Sequence, residues 1–250
     1  MARSKISPMF SGRSVRAAGS TAMAVRVLED SSPFLLYVTI VEIGIVAGIR
    51  RFPVKSLSGE SLDEVDVLTD GLAGDRLHAL TVREGHARVG KTYRGKENGR
   101  LHVLTDADAG ADLARQSGVV VDLSGGSGER FFDAAPVSLL VDRWLEGASA
   151  YLGYAVEADR FRANLLVAAD ASFSLEESAL VGSVLVLGEV RLQVESPIDR
   201  CVTVTYAPDA SASDPRLLRY LAERRGNAMG VYCRVERTGA VKLGDVVERA

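Results

Sequence analysis

Short strand-length segments follow one another along most of this chain, and they constrain its fold more than any other feature. The segments read VEIGIVAGIRRF, SLDEVDVL, LHALTV, VVVDL, YAVEADRF, ANLLVAA, SVLVLG, EVRLQVE and VYCRVE, with turn residues between them. Only about three stretches have helical spacing, and strands do not alternate regularly with helices. The pattern therefore argues against a doubly wound parallel sheet. It predicts a mainly β chain of the α+β class, barrel-like, with peripheral helices.

Charge and cysteine content exclude several classes of protein. The chain has 33 acidic and 30 basic residues, a net charge of −3, so it lacks the positive field that binds nucleic acid or anionic membranes. Its most apolar run, residues 34–49, is shorter than the ~20 residues of a membrane-spanning helix. Its two cysteines cannot form a disulfide framework, which favours a cytoplasmic location. Any cysteine chemistry must use one thiolate at a time.

Composition divides the chain into three parts. Residues 1–40 begin with a basic stretch rich in serine and glycine, which predicts a disordered tail, with a transit peptide as the alternative. The strand-like VVVDL leads into the Gly/Ser stretch SGGSGE, which is typical of an inter-domain linker. We therefore expect one domain over residues 41–123 and a second over residues 130–250.

Residues 85–92, GHARVGKT, match the phosphate-binding pattern G-x-x-x-x-G-K-[ST]. That pattern needs a helix directly after it, because the free amides at the helix start hold the phosphates. The residues that follow, TYRGKENGR, have no helical apolar stripe, so the segment is predicted to be a polar hairpin loop. A nucleotide hydrolase stays a minor hypothesis, and Lys91 stays a candidate contact for an anion.

Two polar clusters are candidates for binding an anion or a polar heterocycle. The first contains Lys55 and Ser56 in RFPVKS, followed by Arg76 in GLAGDR. The second contains three alternate residues, Arg160, Arg162 and Asn164. On the predicted strand these three point to one side, where two guanidiniums and an amide form a multi-donor site. The alternative is a solvated sheet face whose charges are paired with acids.

A third cluster, ESPIDRCVTVT, places Cys201 directly after Arg200. A neighbouring cation favours the thiolate, which is the form that binds metals or acts as a nucleophile. Considered alone, Cys201 fits the more common role of a small buried apolar residue better than a reactive one. Cys233 lies in the strand-like VYCRVE and is predicted to be structural.

Four segments, in this order, resemble the MOSC family, named after the C-terminal domain of molybdenum cofactor sulfurase. They are RFPVKS with GLAGDR, RFRANLLV, SPIDRC and MGVYCRVERTGAVKLGDVV, and together they extend over roughly residues 46–247. The resemblance is to the two-part members, such as the mitochondrial amidoxime-reducing component and its bacterial relatives. It implies an N-terminal β-barrel domain over residues 41–123, followed by a MOSC β-barrel domain over residues 130–250.

The resemblance also implies a molybdenum cofactor, in which molybdenum is held by molybdopterin. Cys201 would be the protein ligand of the metal, and Asp199 would be a proton donor or a structural hydrogen-bonding residue. The implied cofactor contacts are Lys55, Ser56, Arg76, Arg160, Arg162, Asn164 and, by a weaker match, Thr205. Lys91 joins this set as the anion contact that its own loop suggests.

The implied activity is the two-electron reduction of small N-hydroxylated or N-oxide compounds, with electrons from a separate donor protein. Two alternatives remain: a sulfur carrier or sulfurtransferase with a persulfide on Cys201, and a cofactor carrier without turnover. The chain departs from the amidoxime reductases at two places. GHARVGKTYRGKEN stands where a shorter segment is expected near the cofactor, and Thr203 and Thr205 are not adjacent.

Overall fold

The computed structural model describes residues 23–27, 37–126 and 128–250. The strands are Met23–Val27 (β1), Tyr37–Arg51 (β2), Glu60–Leu62 (β3), Glu64–Leu68 (β4), Gly71–Leu72 (β5), His78–Gly85 (β6), Val119–Gly125 (β7), Val137–Val141 (β8), Leu165–Ala169 (β9), Val184–Leu187 (β10), Val190–Asp199 (β11), Ala228–Arg237 (β12), Gly239–Lys242 (β13) and Val246–Arg249 (β14). The α-helices are Ala107–Gln116 (α1), Arg143–Leu152 (α2), Glu177–Leu180 (α3) and Pro215–Arg224 (α4). None of these helices has the length and apolarity needed to cross a membrane.

Seven strands close into a barrel, which confirms the predicted mainly β fold class. Their order is β2–β14–β10–β11–β12–β8–β9, and β9 pairs again with β2. All neighbours in this ring are antiparallel except β8 and β9, which run parallel and are connected through α2. A parallel pair needs such a crossover, because the chain must return to the same edge before the second strand begins.

The barrel interior is filled by alternate apolar residues of its strands. In β11, Val190, Leu192 and Val194 are buried while the residues between them are more exposed. This period of two is the pattern by which the sequence predicted strands. All five residues of β8 are buried, since helix α2 covers the outer face of this strand with Trp144 and other apolar side chains.

A smaller layer lies beside the barrel and forms part of the wall of the cleft described below. Strands β6 and β7 pair as a hairpin-like ribbon, and helix α1 packs on it. Its core contains Leu57, Leu80, Tyr93 and Leu101, which are almost fully buried. Tyr93 and Leu101 belong to the connection between β6 and α1, so this long connection is fixed to the layer at two points.

The predicted division at residues 123–130 does not coincide with a division of the sheets. Strand β2 belongs to the predicted first domain, yet it pairs with β9 and β14 of the second. Strand β4 likewise pairs with β13. Within the described residues, 41–123 therefore share strand pairings with 130–250, and the division into two domains stays a prediction. The linker at SGGSGE stays a prediction.

The predicted disordered tail, residues 1–40, is described only in part. Residues 23–27 form β1, which pairs antiparallel with the start of β2, so those residues and 37–40 are strand. The rest of the predicted tail lies outside the described residues.

Because the barrel closes at Gly44, with β14 on one side and β9 on the other, we expect this position to tolerate substitution poorly. A Cβ at this position would lie 2.1 Å from the backbone oxygen of Ala168. We expect Gly44→Ala to destabilise the protein by about 2 kcal/mol, because the backbone has to move. The midpoint of thermal unfolding should then fall by about 4–8 °C.

Gly48→Ala is the matched control for this prediction, since it lies in the same strand and its Cβ would meet only the Leu166 side chain, at 3.3 Å. Its effect should be less than half as large. Equal midpoints for the two variants would contradict the proposed closure.

Candidate functional site

A cleft of about 340 Å³ collects most of the residues that the sequence singled out. Eight of the ten predicted site residues line it, namely Lys55, Ser56, Arg76, Arg160, Arg162, Asn164, Asp199 and Cys201. They come from loops next to β2, β5, β9 and β11, which are far apart in sequence. The remaining two, Lys91 and Thr205, are not among the residues that line the cleft.

Lys91 lies in an exposed turn after β6. Its carbonyl oxygen accepts a hydrogen bond from the amide of Val82 at 2.9 Å, and Thr92 bridges to Thr81 as in a hairpin. The next α-helix begins only at Ala107. The loop therefore lacks the helix start that a nucleotide-binding loop requires, which agrees with a polar hairpin and not with nucleotide hydrolysis.

The segment around Arg160 is not the strand that YAVEADRF predicted. Residues Ala158–Phe161 form a 3-10 turn, and Arg162 follows with a φ of 52°. Strand β9 begins only at Leu165. The two arginines reach the cleft through this tight turn, so the predicted clustering is right although its structural reason was wrong.

Asn164 holds this turn against the barrel. Its Oδ1 atom accepts hydrogen bonds from the amide and hydroxyl of Ser138 at 3.1 and 2.8 Å and from Nη1 of Arg76 at 3.2 Å. Its Nδ2 atom donates to the carbonyl of Arg50 at 3.2 Å. The side chain is buried, so Asn164 acts mainly by fixing β2, β8 and Arg76 relative to one another.

Left-handed backbone is concentrated at the cleft. Among the described residues other than glycine, five have positive φ, and three of them line the cleft: Ser56, Arg76 and Arg162. A residue with a Cβ costs about 1–3 kcal/mol in such a conformation, so it persists only where the surroundings impose it. Strain of this kind clusters at binding sites, which supports a functional role for the cleft.

Three guanidiniums gather around one buried aromatic ring, and two of them, from Arg76 and Arg162, line the cleft. The Cζ atoms of Arg162, Arg76 and Arg50 lie 4.3, 5.0 and 5.8 Å from the centre of the Phe52 ring. Burial, together with the charges of Arg76 and Arg50, lowers the pKa of Arg162 to about 9. Arginine stays protonated in proteins, so the shift means that its charge lacks compensation. A bound anion would supply it.

Arg76 and Arg162 differ in their partners. Arg76 forms an ion pair with the buried Asp75, whose Oδ1 also accepts a hydrogen bond from the amide of Phe52 at 2.7 Å. Arg162 donates from Nη2 to the carbonyl of Leu57 at 2.6 Å and forms no ion pair with a described residue. Arg162 is therefore the cation of this group with the greatest need for an anionic ligand.

Arg200, which also lines the cleft, presents the same need for an anionic ligand. Its Nε donates to the carbonyl of Met229 at 2.6 Å and its Nη1 to that of Phe161 at 2.9 Å. Burial lowers the pKa of Arg200 to about 10. Its Nη2 atom is buried and has no hydrogen-bond partner among the described residues. Sequence reasoning noted Arg200 only as a neighbour of the cysteine.

Cys201 is exposed at the start of a 3-10 turn, Val202–Thr205, directly after β11. Its Sγ atom lies 3.1 Å from Oγ1 of Thr203. Cys233, by contrast, is buried in β12, and burial raises the pKa of its thiol, as a structural cysteine requires. Only Cys201 is therefore available for chemistry.

Thr205 supports this turn and does not line the cleft. Its buried hydroxyl donates to the carbonyl of Val202 at 2.7 Å and lies 2.9 Å from Oγ of Ser213. Its carbonyl accepts from the amide of Asp214 at 2.8 Å and from Nη1 of Arg160 at 3.1 Å. These contacts give Thr205 a role in positioning the turn that begins at Cys201, and its role as a cofactor contact stays a prediction.

The charge of the cleft favours an anionic ligand. Its cationic lining residues are Lys55, Arg76, Arg94, Lys96, Arg160, Arg162 and Arg200, and its carboxylates are Asp133, Asp159 and Asp199. The described chain contains no group of three or more histidine, cysteine, aspartate or glutamate side chains that could hold a bare metal ion. A metal bound here would need most of its ligands from a cofactor, with the thiol of Cys201 as a protein ligand.

Comparison with known proteins agrees with this reading of the site. Residues 128–248 match the family model described as MOSC domain. These residues are a MOSC domain. MOSC domains are associated with binding of the molybdenum cofactor. No curated protein matches the chain.

One solved structure supports the fold of the chain. The chain is similar to YuaD from Bacillus subtilis, with a TM-score of 0.50, 19% identity, and coverage of 82% of this chain and 94% of YuaD. YiiM from Escherichia coli has a TM-score of 0.42 and 16% identity, with coverage of 84% of this chain and 68% of YiiM. At such identities the likeness to YuaD shows the fold alone.

The uncompensated charge of Arg162 predicts that anions stabilise the cofactor-free protein. Pyrophosphate at about 100 times its dissociation constant should add about 2.7 kcal/mol. The midpoint of thermal unfolding should then rise by about 5–10 °C, as followed by circular dichroism at constant ionic strength. Arg162→Met should remove at least half of this rise. Arg83→Met is the control, because Arg83 is exposed and pairs with Asp122 outside the cleft.

Asp214 caps α4 beside the turn after Cys201, and its ionised carboxylate should make the folding stability of the protein depend on pH in acid. The hydrogen bond from Arg216, with one from Tyr154, lowers the pKa of Asp214 from 3.8 to about 2. A lowered carboxyl pKa stabilises the folded state above the unfolded value, and this contribution is lost as the pH falls from about 4 towards 2. Asp214→Ala should therefore cost about 1 kcal/mol at neutral pH, and less at pH 2–3.

Thermal unfolding measured across this pH range checks the prediction, with Asp108→Ala as the exposed control in the first turn of α1. If Asp214→Ala loses as much stability at pH 2–3 as at neutral pH, the ionised carboxylate is not the cause of the loss, and the prediction is contradicted.

Proposed function

We propose that the cleft binds the molybdenum cofactor with Cys201 as the protein ligand of the metal, and that the protein reduces N-hydroxylated or N-oxide compounds. Cofactor binding is supported by one observation: a single exposed thiol lies beside a cleft that is lined by seven cationic side chains and three carboxylates. The reaction itself is inferred from the resemblance to the amidoxime-reducing members of the family.

The residues fit such a cofactor in charge, size and ligand type. Molybdopterin carries a phosphate and two dithiolene sulfurs, so it needs cations around it and only one further soft ligand for its metal. A volume of about 340 Å³ lies within the usual range for small-molecule sites. The buried, unpartnered Nη2 of Arg200 and the charge of Arg162 supply the unmet demand for an anion.

Each wall residue would have a definite task. Arg162 and Arg200 would neutralise the negative groups of the cofactor, and Lys55 and Arg76 would share this task from their ion pairs with Asp133 and Asp75. When bound, the cofactor would supply a metal centre able to exchange two electrons.

The overall reaction is balanced by protons as well as electrons. A compound R–NHOH, two electrons and two protons give R–NH₂ and water as the N–O bond breaks. Asp199 lines the cleft and is exposed, and the described chain shows no hydrogen bond or ion pair for its side chain. These features argue against a structural hydrogen-bonding role, and the role as proton donor is part of the proposal. A separate donor protein would supply the electrons.

A sulfur carrier is the second candidate, because an exposed thiol is also what a persulfide requires. A carrier has no need for the cationic cleft, which is why cofactor binding is preferred. A cofactor carrier without turnover would use the same residues as the reductase, and only an activity assay separates the two.

The test uses protein from a host that makes the cofactor. We expect about one molybdenum per chain by elemental analysis, and reduction of benzamidoxime with a chemical electron donor. Because changes to residues behind a metal ligand already cost about 10–100-fold, Cys201→Ala should lower turnover by more than about 100-fold. Cys233→Ala, the control thiol, should keep both metal and activity.

Two outcomes would overturn the proposal. Fully loaded wild-type protein that does not reduce benzamidoxime would remove the reductase reaction and leave a carrier. Metal-free protein with an additional sulfur atom on Cys201 by mass spectrometry would favour the sulfur carrier.

A further inference from the structure

The connection between β6 and α1 forms a wall of the cleft next to Cys201. This is the segment in which the sequence departs from the amidoxime reductases, and Arg94, Gly95, Lys96 and His102 of this segment line the cleft. Sequence reasoning assigned none of these four a role. Their position brings an unusual segment directly to the place where a substrate would react.

This wall packs closely against the turn that begins at Cys201 and against Tyr206, at three positions. A Cβ on Gly95 would lie 2.8 Å from Cγ2 of Thr203, and one on Gly99 would lie 2.7 Å from the Tyr206 ring. The ring of His102 stacks on Tyr206 with a centroid distance of 6.1 Å. The backbone on both sides of Lys96 therefore lies close to the Cys201 turn.

Lys96 differs from the other cations of the cleft because its side chain has neither a hydrogen bond nor an ion pair with a described residue, whereas even Arg162 and Arg200 donate to backbone carbonyls. Lys55 pairs with Asp133 at 2.6 Å, and Arg160 pairs with Glu157 at 2.7 Å. Lys96 is exposed and forms neither a hydrogen bond nor an ion pair with a described residue. Next to it, Arg94 pairs with Glu97 through Nη2, while its buried Nε has no partner in the described chain.

We infer that the substrate is an N-hydroxylated compound that carries a negative oxyacid group, such as a carboxylate or phosphate, and that Lys96 recognises this group. The inference rests on the proposed function. Arg76 and Arg162, which pack on the Phe52 ring, would neutralise the cofactor. Lys96 adds a positive charge on the Cys201 side, which attracts an anionic substrate and disfavours a cationic one.

The experiment compares two substrates that differ by one charge, benzamidoxime and 4-carboxybenzamidoxime, on the cofactor-loaded protein. Wild-type protein should show a KM about two- to fivefold lower for the carboxylate, as expected for one exposed charge contact. Lys96→Ala should bring the ratio of the two KM values close to one. The preference should also weaken at high salt, because exposed charges are screened.

Arg88→Ala is the matched control. Arg88 carries the same charge in the same segment, is exposed, and is not among the residues that line the cleft. This variant should keep the wild-type ratio of KM values. If the ratio of KM values falls equally in both variants, the preference comes from the overall positive charge of the protein, and the assignment of Lys96 is overturned.

Failure of the inference is distinguishable from failure of the proposed function. Turnover of both substrates with equal KM values would overturn only the anionic preference. If neither substrate is reduced, the proposed reaction fails, and calorimetric binding of the two compounds to the loaded, oxidised protein then decides the preference. A loss of molybdenum in Lys96→Ala would assign the lysine to the cofactor and overturn its role in substrate choice.

Discussion

The amide of Asn164 is the contact on which both the barrel and the cleft depend. It joins the backbone of β2 at Arg50 to both polar groups of Ser138 in β8, and it also binds Arg76. A buried amide with all these partners has little freedom, because each lost hydrogen bond would leave an unsatisfied polar group. The position of the cationic wall is therefore set by the closure of the sheet.

The fold keeps positive charges together that would repel one another in isolation. Phe52 separates three guanidiniums with its ring, and Asp75 and Asp159 compensate two of them. The third, Arg162, has no such carboxylate: its left-handed backbone holds it in place, and burial lowers its pKa to about 9. Such an arrangement stores free energy that a matching anion can release on binding, which is how a preorganised site gains affinity.

Much of this could be predicted from the sequence, and the failures have identifiable causes. Alternation of apolar residues predicted the strands of the barrel, and the sequence motifs predicted eight of the residues that line the cleft. The conformation of Arg162 could not be predicted, because positive φ at a residue with a side chain depends on tertiary contacts. The shared strand β2 was missed because local patterns do not reveal which distant strands pair. Lys96 was missed because a lysine in a polar loop has no distinctive local signal.

The two glycines of the wall beside Cys201 have a consequence for the aperture of the cleft. Gly95 and Gly99 allow the main chain itself to rest on Thr203 and on the ring of Tyr206, with no side chain between the two surfaces. The spacing of these surfaces is thus set at the minimum that backbone contact permits. In a related chain with larger residues there, the same barrel would carry a wider entrance and admit bulkier molecules to the sulfur.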